Sequence, residues 1–167
     1  ERLTTSLGMD NAAVWTNLGS AYRGHAVEFQ LTDITMRNSL VLKAEQAYKR
    51  AISKDKNYAN AYYNLGLLYL DADPYPTPTG ELDKVTRLKN AKTYLDEYRR
   101  LPNADQKLVD TTTAVAQKLL DREELLLQTQ AEREAKKAAA AKKQAEREAK
   151  KKAAGNKDPL DSDEGFE

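Results

Sequence analysis

Two stretches of eight residues decide the fold: WTNLGSAY at residues 15–22 and YYNLGLLY at residues 62–69. Both follow one pattern, an aromatic residue, any residue, Asn, Leu, Gly, two further residues and Tyr, and they start 47 residues apart. A second pair of stretches, KAEQAY from residue 43 and NAKTYL from residue 90, has the same offset. Two separate blocks with one period indicate an internal repeat, which determines the whole architecture.

The apolar residues of each block recur with helical spacing. Trp15, Leu18 and Tyr22 lie at i, i+3 and i+7, on one face of a helix. Glycine inside a helix is less favourable than alanine by about 1 kcal/mol. Its presence at Gly19 and again at Gly66 therefore predicts close approach by a neighbouring helix. The facing stripe of the second helix consists of Ala44, Tyr48 and Ala51. Each unit is thus a predicted helix hairpin that needs a stacked neighbour to bury its apolar face.

These blocks resemble the tetratricopeptide repeat (TPR), whose pattern is a bulky residue, Leu-Gly, Tyr, and later Ala, an aromatic residue and Ala. The first copy meets it with Trp15, Leu18, Gly19, Tyr22, Ala44, Tyr48 and Ala51. The second copy meets it with Tyr62, Leu65, Gly66, Tyr69, Ala91 and Leu95, and departs from it at Tyr98. The resemblance covers roughly residues 1–101, and the best local match is the repeat junction at residues 51–66. It implies an all-α fold, an α–α superhelix of helix hairpins followed by a long charged helix.

The repeats are longer than the family period of 34 residues, which predicts 13 additional residues between the two helices of each unit. These lie at about residues 23–42 and 71–89. The second stretch contains DPYPTPTG at residues 73–80, whose alternating prolines predict an extended, polyproline-like loop. We expect a helix from Glu81 to Leu101 after it, with Thr79 as N-cap. In the first unit, Thr32 or Asp33 is expected to open a helix that runs to about Lys54. The inserted loops either have no role in binding or form a second contact surface.

The domain organisation follows from changes in composition along the chain. Residues 1–101 are predicted to form the hairpins, and residues 2–9 are expected to be the end of a truncated repeat. The chain opens at Glu1 without Met, and we expect it to be a fragment of a longer precursor. Residues 102–129 are predicted to form a capping helix or, alternatively, the start of a coiled coil with another chain. Its apolar stripe would be Leu108, Val115, Leu119 and Leu126. Residues 130–155 are a predicted charged helix, and residues 156–167 a disordered acidic tail.

The charged helix repeats QAEREAKK at residues 130–137 and 144–151. The pairs Glu132–Lys136, Glu146–Lys150 and Glu148–Lys152 have favourable i, i+4 order, so the segment can be helical without burying anything. Residues 131–154 hold nine basic and four acidic side chains, which permits weak binding to RNA or another anionic ligand. No aromatic residue interleaves the lysines to stack on bases, so a solvated spacer is favoured. The composition resembles the Ala/Lys/Glu-rich linker helix of the bacterial Tol envelope-spanning protein.

Little in the composition points to catalysis. The sequence has no cysteine and a single histidine, His25, which makes metal sites and histidine-dependent chemistry improbable. It contains no phosphate-binding glycine loop and no nucleophile motif, and no run of about 18 apolar residues that could cross a membrane. With 27 basic and 26 acidic residues, no global charge attracts nucleic acid. We therefore expect no enzyme activity, no cofactor and no metal.

The resemblance places a partner on the first helix of each hairpin. The residues off the buried stripe are Thr16, Asn17, Ser20 and Arg23, with counterparts Tyr63, Asn64, Leu67 and Leu70. Asn17 and Asn64 fall where family members use asparagine to hold a peptide backbone; alternatively, both amides bond neighbouring helices. Family members that bind a terminal carboxylate have more cations there than Arg23 alone.

These residues together predict a scaffold or adaptor that binds a partner peptide or helix in the groove. The likeness of the charged helix to the Tol linker favours a bacterial envelope, transport or motility assembly as its setting. The alternative is a structural component that forms homo-oligomers through the C-terminal helix. The expected location is the periplasm or cell envelope, and the alternative is the cytoplasm.

Overall fold

The structure is a computed structural model that describes residues 10–155. Its elements are α1 (Ala12–Glu28), α2 (Ile34–Lys54), α3 (Ala59–Asp71), β1 (Tyr75–Thr77), β2 (Gly80–Leu82), α4 (Lys84–Arg99) and α5 (Gln106–Gly155). The chain divides into two compact units, Glu1–Glu124 and Leu125–Glu167. The all-α prediction is confirmed, because one two-stranded sheet is the only β-structure within the described part. The predictions for residues 2–9 and 156–167 lie outside the described residues.

Aspartate or asparagine side chains begin four of the helices. The carboxylate of Asp33 accepts a hydrogen bond from the Met36 amide at 2.9 Å, so α2 begins at one of its two predicted starts. Equivalent caps are Asn11 on α1, Asp83 on α4 and Asp105 on α5. Each cap provides an acceptor for an N–H group that has no partner inside the helix. The prediction that Thr79 caps a helix from Glu81 is wrong, because residues 80–82 pair in the sheet and α4 begins only at Lys84.

The same close contact joins the two helices within each hairpin. A Cβ atom added to Gly19 would lie 2.6 Å from Cε1 of Tyr48, and one added to Gly66 would lie 2.9 Å from Cγ of Leu95. Tyr48 and Leu95 are fully buried and, like the two glycines, 47 residues apart. The predicted close approach is confirmed: α1 packs on α2 as α3 packs on α4.

The first inserted stretch consists mostly of helix. α1 continues to Glu28 and α2 begins at Ile34, so only residues 29–33 connect them. The inserted residues therefore lengthen both helices of this hairpin, and α2 reaches 21 residues. The predicted end of α2 at about Lys54 is confirmed.

The second inserted stretch forms a β-hairpin rather than the predicted polyproline-like loop. Tyr75 pairs with Leu82 and Thr77 with Gly80, around a two-residue turn at residues 78–79. The Tyr75 ring is buried and stacks on Tyr69 with 4.5 Å between the ring centroids. This stacking holds β1 against α3. Because the sheet has only two strands, both are edge strands, in which proline is tolerated.

The beginning of α5, up to Glu124, covers the second hairpin as the predicted capping helix would. Its buried residues are Val109, Thr113, Ala116 and Leu120, and the first and third of them pack with Leu95 and Tyr98. The predicted apolar stripe is wrong. Leu108, Val115 and Leu119 are 42%, 49% and 36% exposed, because the buried face lies one residue further along the helix.

The second unit contains the charged part of α5. Every side chain from Gln130 to Lys152 is exposed, as expected of a helix that buries no apolar face. The three predicted Glu–Lys pairs do not form ion pairs in this described segment. Two of the three glutamates instead accept hydrogen bonds from glutamines four residues earlier: Gln128 donates to Glu132 at 3.3 Å and Gln144 to Glu148 at 3.2 Å.

Candidate partner-binding surface

The predicted partner-binding residues lie on α1 and α3, the first helices of the two hairpins. We call this set the first-helix surface, and it consists of Asn17, Ser20, Arg23, Tyr63, Asn64 and Leu67. Asn17 and Ser20 are exposed, and the other four are partly buried. Gly19 and Gly66 allow α1 and α3 to pack closely on α2 and α4, which positions this surface.

Thr16 was predicted to belong to this surface, and that placement is wrong. Its side chain is 4% exposed, and its hydroxyl donates to the Ala12 carbonyl at 2.8 Å. A threonine hydroxyl in a helix commonly makes this bond to the preceding turn, which lets it be buried without a further partner. A docked partner would not reach this residue.

The polar residues of α1 are connected to α2 and α3. The Tyr48 hydroxyl donates to Ser20 Oγ at 3.2 Å, and burial raises the pKa of Tyr48, so it remains a neutral donor. Arg23 forms an ion pair with Asp71 at the end of α3. The charge of Arg23, the one cation of the first-helix surface, is therefore largely neutralised within the protein. Ser20 retains its hydroxyl proton as a donor for a partner.

The second-repeat residues form a more apolar area. Asn64 Nδ2 donates to the Asn60 carbonyl in its own helix at 2.8 Å, which leaves its side-chain oxygen able to accept. The Tyr63 hydroxyl lies 3.3 Å from that of Thr112 on α5, and its ring lies 5.1 Å from the Tyr98 ring. Leu67 is partly exposed, whereas Leu70 packs against two core clusters. The start of α5 therefore borders this surface at Tyr63.

Two buried arginines were missed by the sequence analysis. Arg87 Nη1 donates to the carbonyls of Tyr69 and Leu70 at 2.9 and 2.7 Å, and its Nη2 lies 3.2 Å from Asp73. Arg37 Nη1 donates to the Pro74 carbonyl at 2.5 Å. Both are the fourth residue of a helix capped by aspartate. The recurring pattern Asp-x-x-x-Arg at residues 33–37 and 83–87 is the signal that could have revealed them.

Neither a metal site nor a membrane span is apparent in the part of the chain that the structure describes. Within residues 10–155, no group of three or more His, Cys, Asp or Glu side chains could hold a metal ion. Among the same residues, no helix is both long and apolar enough to cross a bilayer.

Comparison with known proteins gives one positive result. A family model described as a TPR repeat matches residues 43–72, which run from the middle of α2 through α3 to the residue after it. The comparisons found no match to the chain among curated proteins or solved structures. TPR units are non-catalytic helix hairpins that bind other proteins. Residues 43–72 thus match a tetratricopeptide repeat model, and the chain is a TPR-like helical protein.

Proposed function

We propose that this protein is a docking module without enzymatic activity, which binds a peptide or helix of a partner on the first-helix surface. The observation that carries the proposal is the pair of hairpins with TPR-like packing, which present Asn17 and Asn64 at equivalent positions. An asparagine amide can donate to a peptide carbonyl and accept from a peptide N–H. Two such amides, 47 residues apart, would bind a backbone with little regard to its sequence.

Selectivity would come from the neighbouring residues. Leu67 and Tyr63 offer partly exposed apolar area next to Asn64, whereas the charge of Arg23 is paired with Asp71. This combination favours a partner segment with an apolar side chain over a strongly acidic one. The charged helix of the second unit would then act as a spacer, because its side chains are exposed and polar.

The test is the affinity of the full chain for its partner after Asn17→Ala and Asn64→Ala. Each hydrogen bond to a backbone contributes about 1 kcal/mol, so the double variant should bind roughly thirtyfold more weakly. Gln46→Ala and Thr93→Ala are the matched control, since these residues are exposed, 47 residues apart, and lie on the second helices. Equal affinity of the asparagine variant and wild type would remove the first-helix surface from the proposal.

The exposed residues of α5 favour one alternative function, a homo-oligomer formed through this helix. Leu108, Val115 and Leu119 form an uncovered apolar stripe next to the capping face. Substitution of all three by glutamine in the full chain tests this by sedimentation, with Lys107→Gln and Lys118→Gln as the exposed control. The alternative requires that the wild type and the lysine control are oligomers and that the three-residue variant is a monomer. A monomeric wild type eliminates it.

The setting that we propose is a bacterial envelope, transport or motility assembly, with the periplasm as the compartment and the cytoplasm as the alternative. Its support is compositional, the Ala/Lys/Glu-rich segment at residues 130–155. Fractionation of cells that express the full-length protein distinguishes the two compartments.

Weak binding of RNA by this segment would show steep salt dependence, and absence of salt-sensitive binding dismisses it.

A further inference from the structure

The first unit contains an open cleft that lies where the inserted residues meet. Its volume is about 320 Å³, and it is lined by the end of α1, the beginning of α2 and the end of α3. Its apolar walls include Val41, Leu68 and two alanines, and Arg37 provides a guanidinium. We call it the Arg37 cleft. Its volume is at the lower end of the range of small-molecule sites.

Arg37 is the unusual group in this cleft, because it is charged and 4% exposed. Its Nη1 donates to Pro74 O at 2.5 Å and to Asn38 Oδ1 at 2.9 Å, two neutral acceptors. Within residues 10–155, no carboxylate lies within 4 Å of it, and Nε and Nη2 make no hydrogen bond. Buried charges are normally paired. Burial lowers the pKa of Arg37, while the more distant carboxylates of Asp73 and Glu81 act to raise it, and arginine remains charged at neutral pH.

The charge of the cleft limits what could pair with Arg37. Its lining contains two cations, Arg23 and Arg37, and one anion, Asp71, which gives a net charge of +1. Asp71 is already paired with Arg23 at the rim. A single negative charge would therefore neutralise the lining of the cleft, whereas a phosphate dianion, close to the carboxylates of Asp73 and Glu81 as well, would leave an excess of negative charge. A planar carboxylate also matches two parallel N–H donors of a guanidinium.

We propose that the Arg37 cleft binds a monocarboxylate on a short apolar chain, with the carboxylate on Nε and Nη2 of Arg37 and the chain against Val41 and Leu68. Ser20 and Gln30, which also line the cleft, are further donors at its edge. The carboxylate belongs either to a free organic acid or to the end of a polypeptide.

This site shares Ser20 and Arg23 with the first-helix surface, but its binding group, Arg37, lies outside that surface, and binding there does not require Asn17 or Asn64. Arg37 and Val41 lie on α2, a second helix, and in the 23–42 stretch that exceeds the TPR period. The inserted residues would then be a second contact surface. A small-molecule probe reports on the cleft even where no protein partner binds, so the two proposals can fail separately.

The experiment is a titration of the full chain with hexanoate, followed by the NMR shifts of the cleft residues. We expect a Kd on the order of 1 mM for so small a ligand. Hexanamide, which has the same chain without the charge, should bind at least about tenfold more weakly. N-acetyl-leucine distinguishes the sources: tighter binding than hexanoate indicates a polypeptide end, and weaker binding a free acid.

Two kinds of variant locate the binding. Arg37→Gln should abolish it, but this change also removes the bond to Pro74 and could disturb folding. Gly24→Leu avoids that difficulty, because Gly24 lines the cleft and an added Cβ there meets nothing within 4 Å. Its side chain should fill the cleft and prevent binding, whereas the matched control Gly24→Ala should bind hexanoate as wild type does. Equal binding of hexanoate and hexanamide, tighter binding of inorganic phosphate, or unchanged binding by Gly24→Leu would overturn the proposal.

Discussion

Two glycines of α1, five residues apart, should respond in opposite ways to alanine. At both positions the added methyl group favours the helix by about 1 kcal/mol. At Gly24 the new Cβ has nothing within 4 Å, so Gly24→Ala should raise the free energy of unfolding by up to that amount. At Gly19 the same atom would lie 2.6 and 2.7 Å from two carbons of the Tyr48 ring.

The ring of Tyr48 cannot easily move away from this methyl group. Tyr48 is fully buried, packs within the largest core cluster and donates its hydroxyl proton to Ser20. Overpacking of such a core costs about 1–3 kcal/mol, which exceeds the gain in helix propensity. We therefore expect Gly19→Ala to lower the free energy of unfolding by about 1–2 kcal/mol.

Urea unfolding followed by far-UV circular dichroism measures both changes, because a shifted midpoint at constant slope reports stability alone. Gly66→Ala provides an independent repetition, since its Cβ would lie 2.9 Å from Leu95. A Gly19→Ala protein as stable as Gly24→Ala would refute the close packing of the two helices, and with it the repeat geometry.

Three further predictions concern charge, ionisation and local stability. Arg87→Met should destabilise the fold by about 2–3 kcal/mol, because it leaves the Tyr69 and Leu70 carbonyls without their hydrogen bonds. Lys84, which is exposed, lies near Asp73 as Arg87 does, and Lys84→Met should have little effect in the same urea assay. Burial raises the pKa of the Tyr69 and Tyr75 hydroxyls above the ordinary value of 10.0, so these hydroxyls ionise at lower pH in the unfolded state than in the folded state. The free energy of unfolding should therefore fall as pH rises past 10.0. It should fall less steeply in a variant with phenylalanine at both positions. Hydrogen exchange should be much faster at residues 130–152 than in the hairpin core, and equal protection would contradict the description of a helix without tertiary contacts.

The repeat could be predicted because its signal is local and duplicated. The 47-residue offset relates both glycines and both of the side chains that face them. An unfavourable residue at the same helical place in two copies requires a common cause, and a close helix contact is the simplest. The start of α2 at Asp33 was predictable for a similar reason, since a cap depends on residues within one turn.

The buried face of α5 could not be chosen from spacing. Leu108, Val115 and Leu119 have helical periodicity, and so do Val109 and Leu120 with the small residues between them. The stripes are one residue apart, a rotation of about 100° on the helix. The choice between them depends on the hairpin surface beneath the helix, against which the stripe that contains Val109 and Leu120 is buried.

The β-hairpin was mispredicted because its cause is distant in sequence. Alternating prolines at residues 74–78 describe an extended chain but not its partner. The strand is held by Tyr75 stacked on Tyr69, and the connection by Arg37 and Arg87. Each of these contacts joins residues that the linear pattern assigns to separate elements.

The most direct test of the docking surface is to map where a partner touches the protein. A photo-crosslinking residue is placed at Asn17 or Asn64 in the full-length chain, and at Gln46 or Thr93 for comparison, in the cell that produces the protein. The account predicts that one and the same partner segment is captured from both first-helix positions and from neither second-helix position. Capture at Gln46 and Thr93 alone would place the partner on the opposite helices and contradict it.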